Sequence, residues 1–123
     1  MTNDRILVVD DDESIRQIVR LCLSDEGYSV SEAPNGRVAL EGLHESRPSL
    51  ILLDLRMPVM DGWEFARQYR QTPGPHAPIV AFVAALNVNQ ECADLETAAI
   101  LSKPFDLEDL VSAVRAQLPL STA

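Results

Sequence analysis

Four apolar residues in a row, Leu50, Ile51, Leu52 and Leu53, run straight into an aspartate, Asp54. So short an unbroken apolar run fits a strand buried on both faces, as in a parallel sheet. Such a strand needs helices above and below it. Aspartate is a poor strand former and is seldom buried without a partner. Asp54 is therefore expected where the strand leaves the core, at its carboxyl end. Open α/β sheets bind their ligands at that end. Met57-Pro58 and Asp61-Gly62 then carry turn chemistry ahead of the next helix.

Read alone, the stretch also fits a strand followed by a solvated acidic loop. The rest of the chain weighs against that. Ile6 to Val9 is a second apolar run, and it ends in Asp10, Asp11, Asp12 and Glu13. Ile15, Ile18, Val19, Cys22 and Leu23 follow at helical spacing. Asp12 and Glu13 suit the amino end of that helix, and Gly27 suits its stop. Capping does not explain Asp10, which belongs to the strand end. Tyr28 to Ala33 reads as a strand, Pro34-Asn35-Gly36 as a turn, and Val38 to Glu45 as a helix weakened by Gly42. Gly62 to Gln71 is helical, with Phe65, Ala66 and Tyr69 inward; Trp63 stands at its start. Ile79 to Val83 is a fourth strand. A helix is expected within 84–97, and Ala98 to Ser102 is a short fifth strand ending at Lys103-Pro104-Phe105. Asp106 is a fair N-cap for a last helix carrying Leu107, Leu110, Val111, Val114 and Leu118. His44 and His76 read as exposed side chains.

Five strands alternating with five helices call for an α/β fold with a parallel sheet covered on both faces. Right-handed crossovers place every strand's carboxyl end on one edge. Asp10, Asp11, Asp54, Val83 and Lys103 all fall there.

Charge narrows the partners. The 123 residues carry a net charge of −9, which disfavours direct nucleic-acid contact and an anionic membrane surface. There is no apolar run near 18 residues and no signal layout at the amino end. Cys22 and Cys92 lack CxxC spacing and read as reduced thiols of a cytoplasmic protein.

Carboxylates gathered at one edge repel. At ~4 Å each pair costs on the order of 4 kcal/mol at an effective dielectric near 20. One must be protonated, or a cation must sit among them. Hard oxygen donors suit Mg²⁺, with Mn²⁺ as the alternative. A divalent ion with one lysine is also what a phosphoryl group needs as it transfers. The pattern suggests Mg²⁺-assisted chemistry on phosphate with a carboxylate as nucleophile.

ILVVDDD, LILLDLRMPVMDG and LSKPF together resemble the receiver domain of bacterial two-component response regulators. The resemblance runs from Ile6 to about Leu118. It implies one receiver domain over 1–123, with its core at about 4–118, and a (βα)5 flavodoxin-like sheet in the order 2-1-3-4-5. It implies that Asp54 is the phospho-acceptor and that Asp10 and Asp11 are the acidic pair, Asp11 binding Mg²⁺ directly and Asp10 largely through water. The backbone carbonyl of Arg56 would complete the metal site, its side chain lying where the family tunes dephosphorylation. Lys103 would pair with the phosphoryl group, ahead of a cis bond to Pro104. The chain would be a phosphoprotein rather than an enzyme, at most phosphorylating and dephosphorylating itself. Its partners would be a histidine kinase or phosphotransfer protein, docking around the first helix, and a downstream protein at the face of the fourth helix, fifth strand and last helix. A stand-alone module without an output domain, monomeric or weakly dimeric, is expected.

Two positions depart from the family. Val83 stands where a Thr or Ser hydroxyl would reach the phosphoryl oxygen. Ile100 stands where an aromatic would turn inward, a move that a residue stiff at χ1 does not make. The stretch between Val83 and Lys103 also looks short. Two other readings follow. One is a phosphorylation-independent interaction domain. The other is an aspartate-nucleophile phosphatase of the haloacid dehalogenase type, with Asp10 as nucleophile.

Overall fold

Residues 5–43, 45–84 and 95–119 are described by the computed structural model. The apolar runs form the strands β1 (Arg5–Val9), β2 (Ser29–Ala33), β3 (Leu50–Asp54), β4 (Ile79–Ala84) and β5 (Ala99–Lys103). They pair in the order β2-β1-β3-β4-β5, and every neighbour is parallel. Among the described residues four helices accompany them: α1 (Glu13–Asp25), α2 (Gly36–Gly42), α3 (Gly62–Gln71) and α4 (Leu107–Gln117). The helix expected within 84–97 falls largely on 85–94, outside the described residues, as do His44 and Cys92.

Alternation along each strand splits the core into two layers. Leu7, Val9, Ile51, Leu53, Ile79, Ala81 and Val83 pack with Ala39 of α2 and with Phe65, Ala66 and Tyr69 of α3. Ile6, Val8, Leu50, Leu52, Val80 and Phe82 pack with Val19 and Leu23 of α1 and with Leu110 and Val114 of α4. β3, the middle strand, is buried along its whole length.

Local chemistry sets the helix limits. Asp12 caps α1 by accepting from the backbone N–H groups of Ser14 and Ile15. Gly27, at φ +102°, ends it. Gly27 N–H bonds Ser24 O and Tyr28 N–H bonds Leu23 O, the pair of bonds that defines a Schellman stop. The helix expected from Val38 begins at Gly36 instead, because Asn35 caps it through Val38 N–H, and it ends at Gly42 rather than Glu45. β4 and β5 each run one residue further than expected, so Lys103 is the last residue of β5. Asp106 occupies the N-cap position of α4, but its side chain makes no capping bond. Ile18, one of the apolar residues at helical spacing, is half exposed. It sits on the flank of the α1 stripe and lines a shallow hollow with Ile15, Pro104, Phe105 and Leu107.

Candidate functional site

The carboxyl ends of β1, β3 and β5 meet at one point. Asp10 follows β1 and extends its pairing, with its N–H donating to Ala33 O at 3.1 Å. The residue is fully buried, yet each polar group is met. Oδ1 accepts from Asp12 N–H at 2.9 Å. Oδ2 accepts from Lys103 Nζ at 2.7 Å. Its carbonyl accepts from the Arg16 guanidinium at 2.7 Å. Arg16 also pairs with Glu32 of β2, as does Arg20 one turn on.

Asp54 closes β3 and is buried. Lys103 Nζ stands 3.6 Å from its Oδ2. One carboxylate oxygen each from Asp10, Asp11 and Asp54 lie within 4.8 Å of one another, with Asp11 the exposed member. The Asp54 carboxyl is pushed up to about 7. Burial is the main cause, followed by the negative charge of Asp10. A hydrogen bond with the Asp11 side chain adds to the rise. Lys103 and the backbone N–H of Arg56 pull the other way without cancelling it. One lysine thus leaves the cluster short of positive charge. A hard divalent cation is the species whose donor set these oxygens fit, and it would displace the proton.

The loop after β3 is tightly held. Gly62 N–H bonds Leu55 O at 2.9 Å. A Cβ on Gly62 would lie 2.6 Å from Asp54 O and 2.7 Å from Leu55 Cα. Only glycine lets α3 begin against the end of β3. Asp61 caps that helix through Glu64 N–H. Between them, Met60 N–H bonds Pro58 O at 2.8 Å around Val59, whose φ is +72°. That is a γ-turn with the sign of φ that a β-branched residue rarely adopts.

The structure brings Asp10, Asp11, Asp54 and Lys103 together as the spacing suggested, and the Lys103–Pro104 bond is cis. Arg56 presents its backbone N–H to Asp54, while its guanidinium lies 5.5 Å from the Trp63 ring centroid. Val83 is buried at the end of β4, paired with Ser102. Ile100 is 38% exposed on β5, outside the acidic cluster. Arg16 was missed by the sequence reading. Its only signal is the Arg16–Arg20 spacing on one face of α1.

The sequence pattern of the response regulator receiver domain matches residues 6–115. The chain belongs to that family. Its receiver sequence is 44% identical over 120 residues to response regulator MprA of Mycolicibacterium vanbaalenii, covering 96% of this chain and 52% of that protein. The receiver thus spans about half the length of the curated relatives it matches. Its fold matches chemotaxis response regulator CheY4 of Vibrio cholerae with a TM-score of 0.84 at 36% identity, over 95% of this chain and 100% of that one. It matches response regulator TrrA of Thermotoga maritima, solved in complex with Mg²⁺-BeF, with a TM-score of 0.80 at 29% identity, over 94% and 99%. Receiver domains are the signalling modules of two-component systems. No described helix of this one is long and apolar enough to cross a membrane.

Proposed function

We propose that this receiver accepts a phosphoryl group on Asp54 from a phosphohistidine of a histidine kinase or phosphotransfer protein. A carboxylate oxygen of Asp54 bonds to phosphorus as the phosphorus–nitrogen bond to imidazole breaks, and the ring leaves with a proton. Lys103 pairs with a phosphoryl oxygen. Asp10, Asp11, Asp54 and the Arg56 carbonyl would hold Mg²⁺, which when bound supplies charge neutralisation. The observation that carries this reading is three carboxylate oxygens within 4.8 Å of one another, with Lys103 3.6 Å from Asp54. One receiver domain over 1–123, cytoplasmic, monomeric or weakly dimeric, belongs to the same proposal. So does a downstream protein target at β5 and α4. The curated relatives are about twice as long as this chain, which weighs against the stand-alone role expected from the sequence.

Val83 and Ile100 favour a second reading, an interaction domain that works without phosphate. The phosphatase reading is disfavoured, because Asp10 is fully buried with both carboxylate oxygens hydrogen-bonded. A titration with beryllofluoride and Mg²⁺, followed by the fluorescence of Trp63, separates the first two. Saturable binding that needs Mg²⁺ and is lost in Asp54→Asn supports the acceptor. No binding with Mg²⁺ in excess supports the interaction domain.

A further inference from the structure

Asp11 is the exposed member of the acidic cluster, so its carboxylate is aimed by its backbone rather than by burial. The peptide after it, between Asp11 and Asp12, is held at its N–H, which donates to Asp10 Oδ1 at 2.9 Å. The peptide before it, between Asp10 and Asp11, is held at its carbonyl, which accepts from the Arg16 guanidinium at 2.7 Å. A peptide unit is planar, so a bond to one of its polar atoms restrains the whole unit. Asp11 thus hangs between two restrained planes, and one of them depends on Arg16. Arg16 is itself braced. Its side chain is only 14% exposed, and its Nε lies 3.2 Å from Glu32 Oε1 on β2. Arg20 Nε holds the other Glu32 oxygen at 2.8 Å. The Arg16 guanidinium therefore spans from the end of β2 to the exit of β1.

We propose that Arg16 is a positioning residue for the cation site: by holding the Asp10 carbonyl it keeps the Asp11 carboxylate turned toward Asp54, and so sets how tightly Mg²⁺ binds. The inference rests on Asp10, Asp11 and Asp54 holding that ion, as the proposed function has it. Charge alone predicts the opposite sign. Arg16 is a cation near a cation site, so relief of like-charge repulsion would make its removal strengthen binding. Positioning predicts weakening, because a carboxylate free to swing must be ordered again each time the ion binds. Contacts that orient a metal ligand are typically worth roughly 10- to 100-fold in affinity, and Glu32, paired with Arg16, mutes the charge effect. Orientation therefore outweighs repulsion. Arg20 supplies the comparison. It carries the same charge and, among the described residues, bonds Glu32 and not the Asp10 carbonyl.

The test is a calorimetric titration with Mg²⁺ alone, after urea unfolding without Mg²⁺ has shown that each variant is folded. Arg16→Met keeps an apolar stem and loses both polar bonds, and its Mg²⁺ affinity should fall about tenfold. Arg16→Lys keeps the charge but not the fork that meets Asp10 and Glu32 together. It should show part of that loss, and it carries the test if Arg16→Met folds poorly. Arg20→Met removes a more exposed, screened charge and should stay within about twofold of the wild type. Phosphorylation of Arg16→Met by acetyl phosphate should be slow at limiting Mg²⁺ and regain the wild-type rate once Mg²⁺ saturates. Unchanged or tighter Mg²⁺ binding in the Arg16 variants overturns the proposal. So does an equal loss in Arg20→Met, which would trace the effect to Glu32. A rate that stays low at saturating Mg²⁺ also overturns it, since the fault would then lie beyond affinity. No Mg²⁺ binding by the wild type would instead sink the metal site and this inference with it.

Discussion

At the ends of β1 and β3 the buried carboxylates of Asp10 and Asp54 are met by backbone N–H groups and by Lys103. Asp10 alone is met by Asp12, Arg16, Ala33 and Lys103. Around the end of β4 and at Ile100 of β5 the side chains are apolar: Val83 is buried and Ile100 partly exposed. The first region is built to place charge, the second to pack. Both rest on the same parallel ladder, so the fold dictates neither. What a phosphoryl group does to this receiver then depends on how far its contacts differ between two states, and β4 offers it no hydroxyl.

The largest expected effect tests how tightly the first region is built. Gly62→Ala forces a methyl into the Asp54 and Leu55 backbone and should cost about 3 kcal/mol in denaturant unfolding. A near-neutral result would mean that α3 moves freely against β3. The charge balance comes next. Asp54 holds its proton up to about pH 7 when folded, well above its value in the unfolded chain. Without metal, the folded chain therefore loses stability as pH rises from about 4 to 7. Asp54→Asn cannot ionise. It should match the wild type near pH 4 and exceed it by about 2 kcal/mol at pH 8, once screening from the open side is allowed for. Parallel pH curves would contradict the assignment.

Val83→Thr tests the second region. The added hydroxyl is buried without a partner and should cost about 1 kcal/mol in the bare protein. The loss should shrink when beryllofluoride and Mg²⁺ are bound. Equal losses in both forms would show that the β4 end does not face the phosphoryl group. Smallest of all, Val59→Gly should gain about 0.5 kcal/mol, the relief of positive φ less the extra entropy of glycine. A loss would mean that Val59 packs in the loop despite its exposure.

How much of this was legible in the sequence follows from the range of each interaction. The Leu50–Asp54 strand was readable because burial on both faces leaves no alternation and an acid marks the exit. The strand order followed from the resemblance. The start of α2 was misplaced because its cap, Asn35, stands before a glycine whose role is closeness to Met60 and Phe65. The exposure of Ile18 was not legible, because helical period finds a stripe but not which flank a neighbour covers. Arg16 was invisible because its partners are a backbone carbonyl six residues back and a glutamate on β2. The stacking of Arg56 on Trp63 depends on a tertiary fit that no local pattern encodes.

The central claim is that Asp54 accepts phosphate. The most direct measurement is intact mass after incubation with Mg²⁺ and a small acyl-phosphate donor, with Asp54→Asn in parallel. One phosphoryl group on the wild type, absent without Mg²⁺ and absent in Asp54→Asn, is the predicted result. No adduct at saturating donor, with Mg²⁺ binding verified separately, would contradict it and leave a receiver fold that works as a binding surface alone.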